Sequence, residues 1–116
     1  MKTVVVLAAG NGSRYGGPKQ FARFGPLNLT LMQYNLCHAI SAGYKKAIII
    51  IQEKYKHLLS PIVEQLTRYL DIVVCIQSLS NLPAKCELPA GQSKPLGTAH
   101  ALWCARDHIQ DGMTII

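Results

Sequence analysis

The feature that most constrains the fold is an unbroken apolar run at residues 3–8, Thr3-Val4-Val5-Val6-Leu7-Ala8, followed at once by a loop with glycine at 10, 12, 16 and 17. A strand with one wet face alternates apolar and polar residues. A β-branched run without alternation is a strand covered on both faces, as in parallel sheets flanked by helices. Two further runs of this kind lie at residues 46–51 and 72–76. Between the strands, Leu31, Tyr34, Leu36, Ala39 and Ile40 recur at helical spacing over residues 30–42, with Gly43 at the position of a C-terminal cap. Residues 61–70 read as a second helix, with Ser60 as N-cap and Pro61 at the first helical position. Residues 97–109 read as a third helix, and residues 113–116 begin a fourth strand. Alternating strands and helices predict βαβ units with right-handed crossovers, and a ligand crevice at the carboxyl ends of the strands.

A chain of 116 residues that is 49% hydrophobic and 16% charged is sized and composed as one globular domain, residues 1–116. No apolar run reaches the roughly 18 residues of a membrane span. The polar residues Asn11, Arg14 and Lys19 follow the first strand too soon for a secretory signal. These features predict a cytoplasmic protein with no membrane partner. A chain ending Met113-Thr114-Ile115-Ile116 stops inside an apolar strand. The expectation is a truncated domain whose exposed sheet edge invites self-association.

The formal charge is +6, and its placement says more than its size. Residues 1–52 hold Lys2, Arg14, Lys19, Arg23, Lys45 and Lys46 and no acid, whereas the remainder balances six bases against six acids. The excess therefore favours an anionic partner at the first half of the chain. The bases are scattered singly, without a basic stripe or interleaved aromatics, which argues against nucleic acid and for a small phosphorylated ligand. Cys37, Cys75, Cys86 and Cys104 contain no C-x-x-C pair, which argues against a zinc site, and three of them sit in apolar-periodic segments where cysteine reads as a small buried hydrophobe; disulfides are not expected. The stretch 78–95, with proline at 83, 89 and 95, is long enough for a loop to suggest a functional role.

The glycines of the first loop let backbone N–H groups approach a ligand, and Arg14 and Lys19 add two cations, which together make a phosphate cradle. It is neither of two common cradles. The dinucleotide fingerprint needs glycine at 15, where Tyr15 stands. A P-loop begun at Gly12 reaches Pro18-Lys19-Gln20 in place of Lys-Ser or Lys-Thr.

Residues 7–20, Leu-Ala-Ala-Gly-Asn-Gly-Ser-Arg-Tyr-Gly-Gly-Pro-Lys-Gln, resemble the L-A-A-G-x-G-x-R-x-G…(P)K signature of the sugar-phosphate nucleotidyltransferases, the NTP-transferase superfamily. Residues 94–102, Lys-Pro-Leu-Gly-Thr-Ala-His-Ala-Leu, resemble that superfamily's K-P-x-G-T-[AG]-H-A-[LV] segment. Gly43-Tyr44-Lys45-Lys46 leading into the second strand also fits, so the resemblance covers nearly the whole chain. It implies a Rossmann-like three-layer α/β sandwich with a mostly parallel sheet, truncated here within the fourth strand. It implies transfer of a nucleotidyl group from a nucleoside triphosphate to a sugar 1-phosphate, with release of pyrophosphate. On this sequence the nucleotide-binding positions are Leu7, Ala8, Ala9, Gly10, Gly12 and Ser13, with Gln77 as the base reader and Gly97 and Thr98 as the turn against the base. Arg14 would hold the departing phosphates and Lys19 the charge on the α-phosphate. UTP or dTTP is the favoured nucleotide, because a glutamine with backbone amide and carbonyl groups suits an imide edge.

The resemblance also implies Mg2+, held by an aspartate just past the fourth strand. Asp111 precedes that strand and Asp107 belongs to the preceding helix, so no metal ligand is assigned. The chain is therefore expected to supply the nucleotide-binding half of an enzyme. The alternative is a non-catalytic nucleotide-binding or interaction domain that has lost its metal site. His100, Trp103, Arg106 and Asp107 read as a packed helix residue, a core or interface residue and a solvated helix end.

Overall fold

A computed structural model of the protein describes residues 2–10, 19–82 and 97–116. Its centre is a four-stranded parallel sheet in the order β5-β4-β1-β6, built from β1 (Thr3–Leu7), β4 (Lys46–Ile51), β5 (Asp71–Ile76) and β6 (Thr114–Ile115). A short antiparallel hairpin, β2 (Arg23–Phe24) with β3 (Leu29–Thr30), leads into α1 (Leu31–Ser41). The other helices are α2 (Lys56–Leu66) and α3 (Thr98–Cys104).

The unalternating strands are covered on both faces, as predicted. Val4, Val6, Ala47, Ile49 and Ile51 pack with Met32, Leu36 and Ala39 of α1 and with Leu59, Ile62 and Leu66 of α2. Val5, Ile48, Ile50 and Cys75 face the opposite way and pack with Ala101 and Ala105 on and just after α3. Two isoleucine pairs of one strand thus belong to two different cores, which is the three-layer sandwich. β4 and β1 are central, and Val6 is in register with Ile49, which is in register with Val74. At one end of the described sheet, Ile115 and Ile116 are each 47% exposed.

α1 has the ends its sequence implies. Thr30 accepts from the Gln33 backbone N–H, and the Gln33 side chain accepts from the Thr30 N–H, a reciprocal capping box. At its other end the N–H of Gly43 donates to Ile40 and that of Tyr44 to Ala39, the Schellman pattern. Gly43 has φ +90°, a conformation glycine adopts without penalty.

Two expected elements differ. The second helix starts at Lys56, not Pro61, and ends at Leu66, so Pro61 lies inside it. Ser60 does not cap; its hydroxyl donates to the Lys56 carbonyl one turn back. The buried stripe Leu59, Ile62 and Leu66 already includes the residue before Ser60. Core packing therefore extends the helix through an exposed proline whose missing N–H costs the helix one bond. The third helix is shorter than residues 97–109, ending at Cys104 with Ala105 as its C-cap. The chain continues in turns, with Arg106 donating to Trp103 and His108 to Ala105, and Ile109 reaches the second core from there. No helix among the described residues is long and apolar enough to cross a membrane.

Candidate nucleotide site

Parallel strands bring Gly10, Gln52 and Gln77 to one edge of the sheet, because each follows the carboxyl end of a paired strand. The ladder continues past the strands: Ala8 donates to Ile50, and Gln77 donates through its backbone N–H to Ile51. The Gln52 side-chain amide donates to the Ala9 carbonyl at 2.6 Å, tying the start of the glycine loop to the end of β4. Ala8 and Ala9 are buried, Leu7 is half-buried and Gly10 is exposed where the loop departs. Gly12, Ser13 and Arg14 lie outside the described residues, as do Cys86 and the segment 94–96.

Lys19 is exposed and opens a short 3-10 turn, Lys19–Phe21. Phe21 anchors that turn by packing against the first core, with its ring centroid 6.4 Å from that of Tyr55, three residues past Gln52. The lysine thereby lies two residues from a side chain anchored in the first core.

Gln77 is 8% exposed and is held by the element that carries Gly97 and Thr98. Its side-chain nitrogen lies 3.2 Å from the Gly97 carbonyl and 3.0 Å from His100 Nδ1. Gly97 has φ +106° and ψ −170°, a combination open essentially only to glycine. That backbone aims one carbonyl at both Gln77 and the Ala101 N–H. Thr98, the first residue of α3, is exposed beside it. The structure thus joins Gln77 with Gly97, and brings Leu7, Ala8, Ala9 and Gly10 to the same sheet edge.

Sequence reasoning missed Gln52 and the reach of His100. His100 is buried, as expected of a packed helix residue, yet it also bridges Gln77 to the Asn81 carbonyl, 2.7 Å from Nε2. Arg106 is exposed but not merely solvated. It donates to Asn81 Oδ1 and to the Trp103 carbonyl, and its guanidinium lies 4.2 Å from the Trp103 ring centroid.

The cysteines divide by environment. Cys37 is exposed, contrary to the small-hydrophobe expectation, because it falls on the solvent side of α1 between Leu36 and Ala39. Cys75 is buried, and burial, then the nearby Cys104 and Asp107, push its thiol above the ordinary thiol range. Its neutral form is favoured by folding, so this contribution to stability is full below the ordinary thiol pKa and is lost as pH rises through the raised value. Among the three described cysteines, alkylation of the folded protein at mildly alkaline pH is expected to modify Cys37 first and Cys75 last, read by peptide mass mapping. Cys75 reacting as fast as Cys37 would show that the second core opens readily.

The described carboxylates do not assemble a metal site. Asp71 and Asp111 lie at the amino ends of β5 and β6, Glu64 lies on α2, Asp107 lies in the turns after α3 and not on the helix, and Glu53 alone follows the carboxyl end of a strand. No group of three or more His, Cys, Asp or Glu side chains that could hold a metal occurs among the described residues.

A family model described as nucleotidyl transferase matches residues 3–116. The chain belongs to the nucleotidyl transferase family. No curated protein matches it. Among solved structures, it is similar to the inositol-1-phosphate CTP transferase from T. maritima, with TM-score 0.69 and 20% identity over 99% of this chain and 43% of that one. It is also similar to a UDP-glucose pyrophosphorylase complexed with UDP-glucose, with TM-score 0.66 and 17% identity over 100% of this chain and 44% of that one. These likenesses establish the fold. The chain spans less than half the length of either structure.

Proposed function

We propose that this nucleotidyl transferase chain binds a nucleoside triphosphate and supplies the nucleotide half of a sugar-phosphate nucleotidyltransferase. The observation that carries the proposal is the buried Gln77 clamped to the Gly97 carbonyl, at the same sheet edge from which the glycine loop departs. Both structural neighbours are described with a pyrimidine nucleotide, CTP in one and UDP-glucose in the other. Gln77 with Gly97 and Thr98 takes the base, which is that of UTP or dTTP. Backbone groups of the segment from Leu7 to Ser13 line the nucleotide.

In the reaction, an oxygen of a sugar 1-phosphate attacks the α-phosphorus. One P–O bond forms, the bond to the bridging oxygen breaks, and its electron pair leaves with pyrophosphate. The chain's part is positioning and charge stabilisation, with Lys19 at the α-phosphate and Arg14 at the departing phosphates. Magnesium is expected for such an enzyme, but the described carboxylates do not fit it, and none of these roles depends on it.

Ligand-detected NMR against UTP, dTTP, CTP, GTP and ATP, with and without magnesium, tests the proposal. Preferential binding of UTP or dTTP is expected. A folded chain that binds none of the five would leave the alternative of an interaction domain that keeps the fold without the ligand.

A further inference from the structure

We propose that His100 is a positioning residue that fixes which end of the Gln77 amide is offered to the nucleotide base, an inference that rests on the nucleotide-binding proposal above. The two side chains form a short chain of hydrogen bonds between two backbone carbonyls, those of Gly97 and Asn81. A backbone carbonyl can only accept. The amide group 3.2 Å from the Gly97 oxygen is therefore the NH2 of Gln77, since a carbonyl oxygen there would meet another acceptor. The second hydrogen of that NH2 points to His100 Nδ1 at 3.0 Å, which must then carry a lone pair. The imidazole proton consequently sits on Nε2 and is donated to the Asn81 carbonyl at 2.7 Å. Every link has one sense only, and the two ends agree.

The far end of this chain is itself fixed. Asn81 donates its backbone N–H to Ser78, and its side-chain oxygen accepts from Arg106, which is stacked on Trp103. Gln77 and His100 are each 8% exposed, so water does not freely replace a lost partner.

With both amide hydrogens committed, Gln77 Oε1 is the polar atom of that side chain with no partner among the described residues. The Gln77 side chain can then offer the base an acceptor and no donor. Facing ring position 3, an acceptor matches the N3–H of uracil or thymine and repels the N3 lone pair of cytosine. His100 thus selects an imide base through Gln77, without contacting the base.

Two measurements test this. Long-range 1H–15N NMR of the wild-type imidazole is expected to show the Nε2–H tautomer; an Nδ1–H tautomer overturns the proposal without any variant. The second is the ratio of UTP to CTP affinity in wild type, His100→Leu and His100→Gln. In His100→Leu the Gln77 amide loses one of its two anchors, and the ratio is expected to fall by about tenfold. His100→Gln is expected to restore it, because its oxygen can accept from Gln77 while its NH2 donates to Asn81. A purely structural role would weaken UTP and CTP alike, so an unchanged ratio in His100→Leu overturns the role of His100 while leaving nucleotide binding intact. Wild type that binds neither nucleotide overturns the nucleotide proposal and this one together. If His100→Leu does not fold, the tautomer and the ratio in His100→Gln decide, and loss of discrimination in His100→Gln counts against the lock.

Discussion

Replacing Ile49 by alanine is expected to cost about 3–4 kcal/mol of folding stability, within the range for emptying a buried isoleucine site. Ile49 has no exposed surface and sits in β4, bonded to a strand on each side. Its side chain faces the core that holds both 11-residue helices, α1 and α2. Walls on that side are pinned by a capping box, a Schellman end and the Leu59, Ile62 and Leu66 stripe, so the cavity cannot collapse. The neighbour Ile50 is equally buried but faces the other core, where the described helix α3 has 7 residues. Among the described residues that layer has fewer fixed walls, so Ile50→Ala is expected to cost less. Against a typical domain stability of about 5–15 kcal/mol, Ile49→Ala removes a large fraction. Urea unfolding of both variants reads the difference directly. A larger loss for Ile50→Ala would mean that the α3 layer is the better-packed face.

The four strands of the parallel sheet and α1 were legible in the sequence because their signals are local, whereas the short β2–β3 hairpin was not. Ile48 to Ile51 without a polar break can only be covered twice, and the helical spacing from Leu31 to Ile40 with Gly43 as the cap marks α1 within the residues that form it. α2 was misplaced by five residues at its start because Ser60-Pro61 is a strong local signal for a helix start. The energy that overrode it comes from Leu59, Ile62 and Leu66 meeting the sheet, which no local pattern reports. The same division runs through the site. Gln77 was legible as the residue that ends a strand, and Gly97 as a glycine in a turn. Gln52 and His100 were not, because their partners Ala9 and Gln77 lie 43 and 23 residues away and meet only through the parallel crossovers.

Arg14→Ala with Lys19→Ala is expected to lower affinity for UTP by about 100-fold, with about tenfold from each cation. Hydrogen bonds to charged groups contribute about 1.5–3 kcal/mol each, and an exposed cation such as Lys19 belongs at the low end of that range. These are two of the six bases in residues 1–52, where no acid offsets them, so a bound triphosphate has no competing carboxylate from that half of the chain. The loss is expected to be specific to the phosphates. Uridine, which has none, should bind the double variant as it binds wild type, because the base contact runs through Gln77 and Gly97. The salt dependence of UTP binding should fall in the double variant for the same reason. Isothermal titration with UTP and NMR titration with uridine, each at two salt concentrations, separate these effects. If the double variant holds UTP as tightly as wild type, the two cations do not serve a triphosphate, and the charge of the first half of the chain has another partner. If UTP and uridine weaken together, the loop instead shapes the base pocket, and Arg14 and Lys19 act through the backbone they hold in place.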